Sequence, residues 1–157
     1  MALTIEEIGK FIDNDKASEK KRLAKKGLDY YEGLHDIKDY KTYYVDADGK
    51  LQEDKLRSNI KIAHPFFTEL VDQQVQYMLS SDEPFMLSAK SDDKLQDALN
   101  DYFGDEFRAE LQECLTGCIA KGFENMYAYK SASGRSRFMT ADSMGVIEVR
   151  GKDTDDG

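Results

Sequence analysis

Three groupings of residues in this chain could do chemistry by type and spacing. Asp46-Ala47-Asp48-Gly49 places two carboxylates and a glycine within four residues. A calcium loop of the EF-hand kind needs glycine at position six and a bidentate Glu at position twelve. Counted from Asp46, the glycine is fourth and position twelve is Arg57, a cation. The stretch therefore reads as a turn between strands. Cys114 and Cys118, one helical turn apart, could join His35 and His64 in a Cys₂His₂ zinc set. Neither histidine has a partner at i+3 to i+5, so the cysteines read as small apolar residues on a core stripe. A bridge between them is disfavoured, because their Cβ vectors run parallel on one helix. The third grouping is His35-Asp36, a base with a carboxylate to orient it. It lacks a Gly-framed Ser or Cys nucleophile, and the sequence has no Gly-rich phosphate loop. A hydrogen-bonding role at a helix end is expected for His35, and a helix-entry role for His64 before Pro65. No catalytic residue, metal or cofactor is assigned, and the expectation is a non-enzymatic protein.

One further cluster stands against an acidic background. Lys20, Lys21, Arg22, Lys25 and Lys26 make a basic run in a chain of formal net charge −9. Such a helix face could meet a polyanion or an acidic partner, and the alternative is a solvated face. The overall charge argues against wrapping nucleic acid, which depends on Lys and Arg displacing phosphate counterions. An acidic surface can still line a DNA path. The nearby tyrosines are not interleaved with cations as stacking platforms would be.

The elements that would position these groups follow from periodicity and punctuation. The chain has 157 residues, of which 40% are hydrophobic and 34% charged. That length suits one domain, and the charge content suits a thin domain or one element of an assembly. Glu6 and Glu7 near the N-terminus do not read as a secretory signal. No apolar run approaches the ~20 residues of a membrane-spanning helix. Thr4 and Glu7 have capping-box spacing, so a first helix runs to about Asp13, where Asn14 and Asp15 are expected to break it. A second, from about Lys16 to Glu32, carries Leu23, Ala24, Leu28 and Tyr31 as its apolar stripe and Gly33 as its C-cap glycine. A hairpin is expected from Lys41–Val45 through Asp46–Gly49 to Lys50–Gln52. Phe66, Phe67, Leu70, Val71, Gln74, Val75, Met78 and Leu79 give the clearest helix, with Pro65 in its first turn.

Glu83–Ala89 reads as an edge strand. Ser91 or Asp92 then caps a helix with Leu95, Ala98, Leu99 and Tyr102 inward. A helix over Asp105–Lys121 follows, with Phe107, Leu111, Cys114, Leu115, Cys118 and Ile119 on one face and Gly122 at its end. Met126–Lys130 and Arg135–Met139 flank a turn at Ser131–Gly134, and Gly145–Val149 reads as a third strand. The fold class is α+β: an N-terminal helical arm, three longer helices and a small antiparallel β-sheet. The expected division is 1–35 helical arm, 36–150 α+β domain and 151–157 disordered acidic tail.

In order and spacing these elements resemble the front part of tailed-bacteriophage portal proteins with an N-terminal helical arm. The matching pieces are Leu28-Asp29-Tyr30-Tyr31-Glu32-Gly33 with His35-Asp36-Ile37, then Ser58-Asn59-Ile60-Lys61-Ile62. Leu70-Val71-Asp72, Val75-Gln76-Tyr77-Met78-Leu79 and Pro84 follow. The step from Cys118 to Tyr129, with Gly122 at its turn, and Asp142 with Val146–Val149 complete the set. Pro65 and Ser80-Ser81-Asp82 depart from the pattern. The resemblance implies that 36–150 belongs to the wing region of a subunit that forms a homo-oligomeric ring, typically of twelve copies, at one capsid vertex. Its implied partners are the packaging motor (terminase), capsid and tail or connector proteins, and double-stranded DNA passing through the channel, with no membrane. The implied location is the virion, and the host cytoplasm during assembly. The family's channel-lining helices, crown and clip would follow the present C-terminus, so a truncated fragment or prophage remnant is expected, monomeric or weakly associated alone. The second reading is a cytoplasmic adaptor that holds a partner through the Pro65–Leu79 helix or the basic helix. A hydrolase is third.

Overall fold

The structure, a computed structural model, describes residues 4–80 and 92–147. The expected strand Glu83–Ala89, the alternative cap Ser91 and the tail 151–157 lie outside the described residues. Five helices and two separate antiparallel strand pairs make up the described part, in agreement with an α+β class.

Helix α1 (Ile5–Lys16) opens with the expected capping box, the Thr4 hydroxyl accepting from the Glu7 backbone and Glu7 returning to the Thr4 N–H. It does not break at Asn14. Exposed Asn and Asp cost a helix only a few tenths of a kcal/mol, and the next start signal is Ser18, which N-caps α2 (Glu19–Tyr31). Helix α2 ends in a Schellman motif: Leu34 N–H donates to Asp29 C=O and Gly33 N–H to Tyr30 C=O, with Gly33 at φ +76°. A 3₁₀ turn (Asp36–Asp39) leads to the hairpin of β1 (Tyr43–Val45) and β2 (Leu51–Glu53), in which Val45 faces Leu51. Helix α3 (Phe66–Met78) has Pro65 at its N-cap and α4 (Asp93–Tyr102) has Asp92. Helix α5 (Asp105–Lys121) ends at Gly122, φ +86°. The hairpin of β3 (Asn125–Lys130) and β4 (Ser136–Ala141) follows. Beyond it, 143–145 form a turn and 146–147 are not strand, so the third strand expected from Gly145 is absent among the described residues.

The core is built where α2, α3 and α5 cross. Val71 and Val75 of α3 and Leu79 at its C-cap are buried against Tyr31, Phe67, Leu111, Leu115 and Ile119. Burying such a side chain stabilises by roughly 1.5–3 kcal/mol. Two bonds tie the helix ends into this junction: the Thr68 hydroxyl donates to Tyr31 C=O, and Arg108 donates to Leu79 C=O. Phe103, Phe107 and Phe138 form a second cluster, with Phe107 edge-on to both others at 4.9 Å. That cluster and the bonds from Thr140 to Glu110 seat β4 on α5.

Helices α2 and α5 approach closely where Gly27 on one meets Ala120 on the other. A Cβ built on Gly27 would lie 2.0 Å from the Ala120 carbonyl oxygen. Leu23, expected inward, is 54% exposed; the true stripe of α2 runs Lys21, Ala24, Leu28, Tyr31.

Candidate interaction surface

The basic run of α2 is divided by the fold. Lys21 is buried, its Nζ donating to Ser143 C=O and Val146 C=O (2.9 Å) and lying 3.1 Å from the Asp15 carboxylate. Arg22 pairs with Glu19 at 3.3 Å, Lys25 with Asp29 at 2.6 Å and Lys26 with Asp36 at 3.5 Å. Lys20 Nζ stands 3.8 Å over the Phe123 ring. Four cations thus remain on the surface, and three of them have an acidic partner one turn or one loop away. Exposed pairs of this kind add little stability, about 0–1 kcal/mol.

The carboxylates Asp36 and Asp46 of the groupings that could have done chemistry have local partners. Asp36 does not orient His35. Its carboxylate accepts from the Tyr30 hydroxyl at 2.5 Å, and that bond, with the Lys26 charge, holds it below the usual carboxylate range. His35 leans on the Tyr30 ring, 4.9 Å between centroids, and caps nothing. His64 stacks on Phe66. Asp46 accepts from the N–H groups of Asp48 and Lys50 and from Gln52, so it closes the hairpin turn, and the Lys50 bond chiefly lowers its pKa. Among the described residues, no cluster of three or more His, Cys, Asp or Glu could hold a metal, and no helix is long and apolar enough to cross a membrane.

Cys114 and Cys118 are free thiols in the half-buried face of α5. Burial, then the neighbouring Cys118, pushes the Cys114 thiol up to about 11. Only the thiolate is alkylated, so Cys114 should react with iodoacetamide at pH 8 on the order of a hundredfold more slowly than a free cysteine. Mass-spectrometric rates for the two sites check this, and fast labelling of Cys114 contradicts it.

Sequence reasoning missed a polar node at the end of α5. Lys121 bonds the Glu124 and Asp142 carboxylates, the latter at 2.8 Å, while Glu124 accepts from Ser143 N–H at 2.5 Å. Burial opposes the Lys121 charge, and the two carboxylates overcome it, so its pKa is raised. Asp142 is held below its ordinary value by Lys121, then by Met144 N–H. A depressed carboxylate stabilises the fold above its unfolded pKa, near 3.9, and that contribution is lost as pH falls through the folded value. Asp142→Asn should therefore cost about 0.5–1 kcal/mol at pH 7, a small effect because the group is largely solvated. Denaturant titrations of the two proteins should converge as the pH falls below about 4. A constant gap would contradict the assignment.

The structure also offers apolar surface. Large apolar side chains contribute on several elements: Ile5 and Phe11 on α1, Leu95 on α4, Leu70 and Tyr77 on α3. Between α2 and α5 lies a cleft of about 780 Å³ with Leu28, Tyr31, Ala109 and Ala120 among its apolar lining. Its charged lining is Glu32, Glu113, Glu124 and Asp142 against one cation, Lys121.

Comparison with known proteins gives this surface a context. A family model described as phage portal protein, SPP1 Gp6-like, matches residues 9–156. The portal protein of Bacillus phage SPP1 is 27% identical over 124 residues, covering 79% of this chain and 24% of that protein. The matched stretch thus spans about a quarter of that relative's length.

Proposed function

The chain belongs to the SPP1 Gp6-like phage portal proteins, and from that premise we propose that it contributes to a structural subunit of a portal ring. The ring, of twelve copies on the family expectation, sits at the capsid vertex through which DNA enters and leaves. It docks the packaging motor during filling and the tail afterwards, so it belongs to the virion and, during assembly, to the host cytoplasm. The observation that carries this reading is the family match over nearly the whole chain. Two physical features support it. The uncovered surface is what a subunit flanked by copies of itself presents before assembly. The acidic balance suits a DNA conduit, because each phosphate neutralised adds salt-dependent affinity and hence drag.

A premature stop in the gene, in the phage that encodes it, tests the proposal. Heads without DNA are expected, with filling restored by the gene supplied in trans. DNA-filled heads at normal yield from the interrupted gene would overturn it.

A further inference from the structure

The hairpin and the segment after it, residues 40–64, fold onto little else among the described residues. Every residue of β1 and β2 is exposed, and the pair makes no extensive contact with another element. An isolated two-stranded hairpin is marginal in water, yet this one is well specified. Asp46 and Gly49 (φ +78°) close its turn, Lys41 pairs with Glu53 across it, and Asn59 bonds back to Tyr40 C=O. It also carries a heavy apolar load. Leu56 is 99% exposed and Ile60 82%, with Tyr40, Val45, Leu51 and Ile62 largely exposed too. The apolar side chains of the segment expose on the order of 1,000 Å², the scale of one side of a standard protein interface, about 800 Å².

Charge indicates what covers it. Within 40–64 stand five cations and four acids, so the segment is net +1 in a chain of −9. Lys50 and Lys55 have no ion pair among the described residues. The α2–α5 cleft has the complementary character, with an apolar floor and an excess of carboxylates, of which Glu32 and Glu113 are likewise unpaired among the described residues. In a chain this acidic, such a segment meeting such a cleft offsets the repulsion between two copies.

We propose that residues 40–64 of one copy dock in the α2–α5 cleft of a second copy, with Lys55 at the rim facing the partner copy's acidic α5. Hairpin and cleft are different surfaces, so the contact is heterologous and repeats head to tail, as a closed ring requires. The inference rests on the chain being a ring subunit, and it names the contact that joins neighbours.

The test uses the full-length native polypeptide in a background freed of other cysteines. Leu56→Cys combined with Gln112→Cys on the cleft wall, under mild oxidation, should give a ladder of covalently joined subunits on a denaturing gel. Neither single variant should give one. Rings in the electron microscope without a ladder overturn the docking and leave the ring reading standing, as do dimers from Leu56→Cys alone. A native polypeptide that forms no ring overturns both. Charge reversal gives an independent arm: Lys55→Glu and Glu113→Lys should each lower ring yield severalfold, and together restore it. Full assembly of both single variants, or no rescue in the double, contradicts the pairing.

Discussion

Gly27→Ala is expected to destabilise the fold by about 2–3 kcal/mol, although alanine is the better helix former by about 1 kcal/mol. The new methyl would stand 2.0 Å from a backbone oxygen, that of Ala120. No rotamer change relieves such a clash, so α2 and α5 must separate. Separation also loosens the junction at which Tyr31, Leu111, Leu115 and Ile119 meet α3. Gly9→Ala on α1 is the control, since its Cβ would meet nothing within 4 Å, and it should stabilise by about 0.5–1 kcal/mol. Urea midpoints of the two variants should move in opposite directions. Two shifts of the same sign would show that intrinsic propensity, and not helix approach, decides at Gly27.

Lys21→Ala should cost about 3 kcal/mol, the lower end of the range for breaking a buried ion pair, because Asp15 keeps some solvent. The substitution strips the carbonyls of Ser143 and Val146 of their donor and leaves the Asp15 carboxylate without its partner. Lys21→Met keeps the packing of the stem and should lose nearly as much, which separates charge from volume. Arg22→Ala next to it, exposed and paired with Glu19 alone among the described residues, should stay within about 0.5 kcal/mol. Equal effects at the two positions, read from denaturant unfolding, would remove Lys21 from the interior. Functionally, Lys21 fixes the turn at 143–145, beyond which the chain leaves the described residues, to the first two helices.

The helices and both hairpins were legible because each carries a local start or stop: Thr4 and Glu7, Gly33, Asp46 with Gly49, Pro65, Asp92, Gly122 and the Ser131–Gly134 turn. Helix α1 outran its expected end because Asn14 and Asp15 do not stop a helix when Ser18 supplies the next cap. Lys21 reads as part of a basic face because hydropathy gives no sign of a buried cation. Its position did give one, three residues before Ala24 and seven before Leu28 on the stripe facing α5. Ala24 and Gly27 on that stripe were the readable trace of a close helix crossing. The exposure of Leu70, Leu95 and Tyr102 was not readable, since periodicity marks a face as apolar without saying whether this chain or another covers it. The node of Lys121, Glu124 and Asp142 was not readable either, since Asp142 lies 21 residues beyond Lys121 and no local pattern connects them.

The central claim is that this chain is part of a subunit that works by assembling with copies of itself. Electron microscopy of the full-length native polypeptide, purified at high concentration, tests it most directly. Rings with a central channel are the predicted result; uniform monomers under those conditions would contradict it.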